Sequence, residues 1–214
     1  MNSIWSGEKE VIKNILPEEY YQSQDVLGIA KSLLGKLMLT RFDGQLTAGI
    51  IVETEAYMAP DDKASHAYGN RRTARTETMF SRGGVSYIYL CYGIHHLFNI
   101  VTGRQGTAHA VLIRALQPIV GIDWMMERRN LLDFKPIITK GPGSLTKALG
   151  IDRSSNELVL FDPASPIIIA DHGITLDEEE IIASPRVGVG YAADWALKPW
   201  RFRIKNNLWT SPAK

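Results

Sequence analysis

The stretch KLMLTRFDGQLTAGIIVETEAY, residues 36–57, decides the fold. Two runs of strand-forming residues, 36–42 and 46–57, flank Asp43-Gly44, a dipeptide that accepts the positive φ angles of a two-residue turn. The pattern predicts a β-hairpin. Alternation along its second strand assigns Ile51, Glu53, Glu55 and Tyr57 to one face and Ile50, Val52, Thr54 and Ala56 to the other. Two carboxylates then share a face, about 7 Å apart along the strand. Glu is a poor strand former, and charge turned toward a core is costly unless it is paired. Either this face is solvated and both acids are ordinary surface residues, or one of them is a general base.

Working outward, Val26, Ile29, Ala30, Leu33 and Leu34 mark one apolar face of a helix, with Ser23 as candidate cap and Gly35 at its end. Gly83-Gly84 introduces a strand over 85–91, Tyr92-Gly93 turns the chain into a second over 95–102, and 109–116 reads as a third. Pro118 is expected to start a helix reaching about residue 131. Ser144 is expected to cap a short helix containing Leu145, Ala148 and Leu149. Residues 166–170, 186–191 and 200–205 are further strand candidates. Strands outnumber helices and come as hairpins. The expected architecture is therefore α+β, a single domain with a mixed, mostly antiparallel curved β-sheet, a protruding β-hairpin and flanking helices.

The 214 residues suffice for one sizeable core, since a chain of this mass buries about 70% of its extended surface. A hydrophobic fraction of 45% and a charged fraction of 22% exclude a disordered chain. One cysteine, Cys91, excludes a disulfide framework and a cysteine-rich zinc site. No run of 18 apolar residues suggests a membrane span, and residues 1–11 lack the apolar core of a signal peptide, so a cytoplasmic protein is expected. Residues 1–15 read as an N-terminal extension and 16–214 as the functional domain.

Net charge is only +1, but its distribution is uneven. From Lys63 to Arg114 there are seven bases and one acid, together with four of the five histidines, and from Trp195 to Lys214 five bases and no acid. Segregated positive charge suggests a cationic face for a polyanion, or simply solvated loops. Arg114 lies in an apolar strand run, with Leu112 and Leu116 expected on its face and Val111, Ile113 and Ala115 opposite. It either reaches to water along its stem or pairs with Glu55 or Glu53. In YIYLCYG, residues 87–93, Tyr87 and Tyr89 share a strand face, while Tyr92 falls at a hairpin tip with no core to enter. It either folds back on its own sheet or serves as a wedge between bases. Glu53, Glu55, Asp61, Asp62 and His66 supply five potential metal ligands within 14 positions, but their spacing matches no common metal loop. Val187-Gly188-Val189-Gly190 opens no clear helix and is not read as a dinucleotide site. Gly141-Pro142-Gly143-Ser144 is either a phosphate-binding helix start or a plain one.

Taken together, several stretches resemble the alkyladenine (3-methyladenine) DNA glycosylases of the mammalian type. They are VETEAY at 52–57 with Pro60, Asp62, Ala64 and His66; Asn70-Arg71-Arg72-Thr73; Met79-Phe80; YIYLCYG at 87–93 with Asn99; LIRALQP at 112–118; Gly141-Pro142-Gly143; and PRVGVG at 185–190 through Trp195, Lys198-Pro199 and Arg201-Phe202. The likeness spans about 16–205, with Ala59, Gly83 and Ile94 as mild departures where the family favours Gly, Pro and Met. The resemblance implies a base-excision enzyme that flips an alkylated purine from duplex DNA and hydrolyses its N-glycosidic bond, without a lyase step, metal or other cofactor. It implies Glu55 as the residue that activates water, with Arg114 and the backbone carbonyl of Val187 holding that water. It implies Tyr57, His66 and Tyr89 as pocket walls, Asn99 as the group that crowds a normal guanine, and Tyr92 as the intercalating side chain. Arg71, Arg72 and Arg75 are expected on the DNA backbone, and double-stranded DNA carrying damaged purines is the expected partner of a monomer. Two alternatives stay open: a catalytically silent DNA-binding module, and a metal-dependent nucleic-acid hydrolase using Glu53, Glu55, Asp61 and His66.

Overall fold

The computed structural model describes residues 13–211. Asp43 and Gly44 take φ values of 51° and 73°, and the hairpin forms as expected between β1 (Leu37–Phe42) and β2 (Gln45–Met58). The remaining strands are β3 (Ser86–Cys91), β4 (His95–Thr102), β5 (His109–Val120), β6 (Ile167–Ala170), β7 (Ile181–Ser184) and β8 (Arg201–Ile204). The main path of the sheet runs β3-β4-β5-β2-β1-β6. The ladders between these named strands are antiparallel, so no parallel pair bears out a mixed sheet among the described residues.

β2 is the longest strand, and it changes partners halfway. Residues up to Ile50 pair with β1, whereas Glu53, Thr54 and Glu55 pair with β8, which in turn pairs with β7. Along its other edge β2 runs beside β5 from Ala48 to Met58. The sheet therefore forks at Ile50–Glu53, and at that point the β2–β5 register slips and recovers around Glu53 and Ala115. This paired bulge corrects the simple alternation. Ile51 packs with Ala56 in the main core, while Ile50 and Val52 pack with Ala115 in a smaller cluster. Leu116 likewise joins Val111 and Ile113 in the main core, opposite to its expected face. A bulge re-aims side chains in this way because one residue drops out of the pleat.

The main core lies between the sheet and helices α1 (Glu18–Tyr21), α2 (Val26–Ser32), α3 (Ile122–Arg129) and α4 (Pro142–Leu149). α2 carries the expected apolar face, and Gly35 ends it at φ 83°. Its cap is Asp25, whose carboxylate accepts the Gly28 N–H at 2.8 Å, and not Ser23. Ser144 sits inside α4, where Pro142 occupies the first turn. Pro118 does not begin a helix. β5 continues through it to Val120 opposite the Ala48/Gly49 bulge, and the turn to α3 comes at Gly121, φ 70°. Gly121 tolerates no side chain, because a Cβ would stand 2.2 Å from the Leu46 carbonyl oxygen.

Residues 186–191 form no strand: 186–189 are loop, 3-10 turns kinked at Ala193 follow over Gly190–Leu197, and the strand in that region is β7. Part of the expected extension, 1–12, lies outside the described residues. Asn14 and Ile15 already join the sheet edge, since Ile15 bridges Ala170 and the Asn14 carbonyl accepts the Asp171 N–H. Among the described residues no helix is long and apolar enough to cross a membrane.

Candidate active site

At the fork, β2 meets arginines from both neighbours. β5 contributes Arg114, and β8 brings Arg201 and Arg203 level with Glu55 and Glu53. Glu53 is fully buried. Its Oε1 accepts Arg114 Nε at 2.7 Å and Arg201 Nε at 2.8 Å, and its Oε2 accepts the Ser211 backbone N–H at 2.8 Å. The Ser211 hydroxyl lies 2.9 Å from both oxygens. Burial alone would raise the pKa of Glu53, but Arg114, the Ser211 N–H and Arg201 outweigh it and hold the carboxyl below its ordinary value. These partners occupy both of its oxygens.

Glu55 is equally buried but differently held. Its Oε1 accepts the Val187 N–H at 2.8 Å and stands 3.2 Å from Arg114 Nη1, while its Oε2 accepts the Tyr57 hydroxyl at 2.8 Å. Burial, then the charge of Glu55, pushes the Tyr57 phenol well above its usual pKa, so Tyr57 acts as a donor. Behind Tyr57 lies Arg186. Its guanidinium is 4.7 Å from the Tyr57 ring centre and 5.1 Å from that of Trp200, and it forms a two-pronged pair with Asp62 at 2.6 and 2.8 Å. It also donates to the Ala56 and Trp195 carbonyls. Asp62 in turn accepts the Met58 and Ala64 N–H groups, so this buried pair ties the loop after β2 to the loop carrying Val187.

In front of Tyr57 opens a narrow slot, with a cavity volume of only about 20 Å³. Tyr57, His66, Tyr87, Tyr89, Met79 and Asn99 wall it, and Ala64 and Ala110 leave it room. His66 and Tyr89 meet edge to face with ring centres 4.5 Å apart. His66 Nε2 faces Arg75 Nη2 at 3.2 Å and its Nδ1 faces the Tyr87 hydroxyl at 2.9 Å. A guanidinium can only donate, so Nε2 accepts and Nδ1 carries the proton. Burial, then the charge of Arg75, lowers the His66 pKa to about 4. Asn99 Nδ2 donates to the Tyr87 carbonyl at 3.1 Å, which fixes its side chain as part of the slot wall.

Tyr92 stands at the β3–β4 tip, 89% exposed, with φ 50°. Of the three arginines expected on a DNA backbone, Arg71 is exposed. Arg72 is exposed but forms a two-pronged pair with Glu77. Arg75 is exposed but turned to His66 and the Tyr89 ring, 5.0 Å from its centre. The C-terminal basic cluster is partly internal, because Arg201 and Arg203 are buried and both donate to the Ser211 carbonyl. They therefore add little to a cationic surface.

The structure brings Glu55, Arg114, Val187, Tyr57, His66, Tyr89 and Asn99 into one neighbourhood. The sequence assigns no role there to Arg186, Arg201 or Ser211, and of Tyr87 it gives only the strand face shared with Tyr89. The signal for Arg201 was available, an arginine inside the alternating run RFRI at 201–204, but it was counted as surface charge. The five candidate metal ligands do not converge. Glu53 faces two arginines, Asp62 takes Arg186, and His66 binds Tyr87 and Arg75. Among the described residues no group of three His, Cys, Asp or Glu side chains could hold a metal ion.

Residues 19–208 match the family described as Methylpurine-DNA glycosylase (MPG). The match places the chain among DNA glycosylases, hydrolases of DNA repair that bind DNA. The chain belongs to the methylpurine-DNA glycosylase family. A Chlamydia felis protein named "Putative 3-methyladenine DNA glycosylase" is 47% identical over 191 residues, 89% of this chain and 96% of the relative. Proteins of the same name from Natranaerobius thermophilus and Clostridium botulinum are 42% and 40% identical, each covering 92% of this chain and 98% of the relative.

Two predictions follow from the geometry. Asp62→Ala leaves Arg186 buried without its carboxylate, and urea unfolding is expected to show a loss of about 3–5 kcal/mol. His66 is harder to protonate folded than unfolded, so the unfolded chain binds the extra proton between pH 6.5 and about 4. Its contribution to stability is therefore present above pH 6.5 and is lost as pH falls toward 4. Urea titrations across that interval should show a shallower acid-side decline in His66→Gln than in the unaltered protein.

Proposed function

We propose that the protein excises alkylated purines from duplex DNA by hydrolysing the N-glycosidic bond of a flipped nucleotide, with Glu55 activating the attacking water. The observation that carries this reading is the Glu55 carboxylate, fully buried and joined through the Tyr57 hydroxyl to the wall of an aromatic slot. Extrusion of a nucleotide costs a few kcal/mol, and an inserted side chain offsets part of it. Tyr92 serves that purpose by filling the vacated stack. Its exposure supports the role, because the ring is already free of its own sheet.

The extruded base enters between Tyr57, His66 and Tyr89. Alkylation at N3 or N7 makes a purine cationic, and electron-rich rings favour a cationic partner. Such a base departs readily, so the enzyme chiefly has to stabilise the oxocarbenium-like sugar and supply water. A negative carboxylate does the first electrostatically. Glu55 does the second by accepting the water proton as the oxygen bonds to the sugar carbon and the base departs with the bonding pair. Arg114 and the Val187 carbonyl hold the water. Asn99 crowds the exocyclic amino group of guanine and so disfavours the normal base. Arg71, Arg72 and Arg75 lie along the DNA backbone. The matched catalytic positions contain no lysine, so no Schiff base forms and the strand is left uncut. The protein acts as a monomer in the cytoplasm and needs no metal or other cofactor.

Incubation with methylated duplex DNA, followed by chromatography of released bases, tests the reading directly. Glu55→Gln is expected to abolish release while binding to lesion-containing duplex persists; unchanged release would remove Glu55 from the mechanism. Tyr92→Ala should lower the single-turnover excision rate by about tenfold or more and leave the unfolding midpoint no lower than that of the unaltered protein.

A further inference from the structure

We infer that Ser211, near the end of the chain, is a positioning residue of the active site, acting through Glu53 and Arg114 on Glu55. The inference rests on the reading of Glu55 given above. Arg114 is shared between two carboxylates, donating from Nε to Glu53 at 2.7 Å and lying with Nη1 3.2 Å from Glu55. Its placement at Glu55 therefore depends on how strongly Glu53 competes for it. Glu53 is restrained on the far side by Ser211, whose N–H and hydroxyl both reach the carboxylate. The Ser211 carbonyl completes the clamp by accepting Arg201 Nη2 at 3.0 Å and Arg203 Nη1 at 2.8 Å.

The segment before Ser211 is anchored independently. Lys140 donates to the Leu208 carbonyl, Asn207 donates to Gln117, and the Trp209 ring lies 5.3 Å from that of Phe134. It thus runs across the sheet as a strap that brings Ser211 to Glu53. Ser211 supplies two donors to Glu53 Oε2, its N–H and its hydroxyl. Once they are lost, Oε2 falls to the surrounding guanidiniums of Arg114, Arg201 and Arg203, and an Arg114 N–H turned toward it is drawn from Glu55. Glu53 has no free oxygen for substrate, so neither it nor Ser211 is a catalytic residue.

The test compares Ser211→Ala, which removes the hydroxyl, with Ser211→Pro, which also removes the N–H, and with Glu53→Gln. Single-turnover excision from a methylated duplex gives the rate, fluorescence anisotropy gives the Kd for lesion DNA, and thermal melts verify folding at the assay temperature. The expected rates fall by about threefold for Ser211→Ala and tenfold or more for Ser211→Pro and Glu53→Gln, with Kd within about twofold. The Ser211→Pro and Glu53→Gln losses should not add in the double variant, since both act through one network. Unchanged rates in folded Ser211→Ala and Glu53→Gln overturn the inference, as does a rate loss matched by an equal loss of binding or of folded protein. If the unaltered protein releases no base, the reading of Glu55 fails separately. A crystal structure of Ser211→Ala, or of Glu53→Gln, then decides the inference: it stands if Arg114 Nη1 leaves Glu55 and falls if the 3.2 Å contact persists.

Discussion

The guanidinium of Arg114 touches both buried carboxylates of β2, and much of the molecule is arranged to make that contact tolerable. Two acids this close in a desolvated interior would repel one another and neither could be charged cheaply. Arg114 divides its donors between them, and Arg201 adds a second positive charge on the Glu53 side. The two acids consequently differ in kind. Glu53 is enclosed by arginines and Ser211, while Glu55 is held by a backbone N–H, a phenol and the shared guanidinium. One acid is wholly engaged in structure, and the proposed chemical role falls to its neighbour two positions on.

The sheet supplies the geometry for this division. β2 loses β1 as a partner and gains β8 within three residues, and the paired bulge with β5 falls at that point. A regular strand would have kept Ile51 on the face of the acids. The irregularity instead returns Ile51 to the core and leaves Val52 and Glu53 on the same side. Arg186 and Asp62 do comparable work on the other flank, where they fasten Tyr57 and the Val187 loop. The aromatic slot thus has rigid walls on strands and a loop pinned by a buried ion pair.

Much of this was legible where local chemistry is decisive. Asp43-Gly44 demanded a tight turn and the apolar spacing of 26–34 demanded a helix, while Tyr92 could be placed at a hairpin tip but its exposure is a finding of the structure. Legibility failed where the determinant was tertiary. The bulge is invisible in the sequence because its slip on β2 is compensated on β5. Pro118 looked like a helix start because a proline in a strand requires a gap in the ladder that only the partner strand reveals. Arg186 and Asp62 are 124 positions apart, and nothing local to either shows the pairing. Arg201 was misjudged because a basic cluster in sequence reads as surface charge until its carboxylate is known.

The hairpin tip carries a further consequence. Tyr92 adopts a left-handed backbone, a conformation that Gly or Asn enters more comfortably and that a bulky residue enters at a cost of roughly 1–2 kcal/mol. Its ring gains almost no burial in return, because it projects into water. In the free molecule this position is thus a standing disadvantage, one that selection for robustness alone would erase by installing glycine. A large ring held there against the preference of its own backbone accords with the proposed role, in which something else comes to cover it.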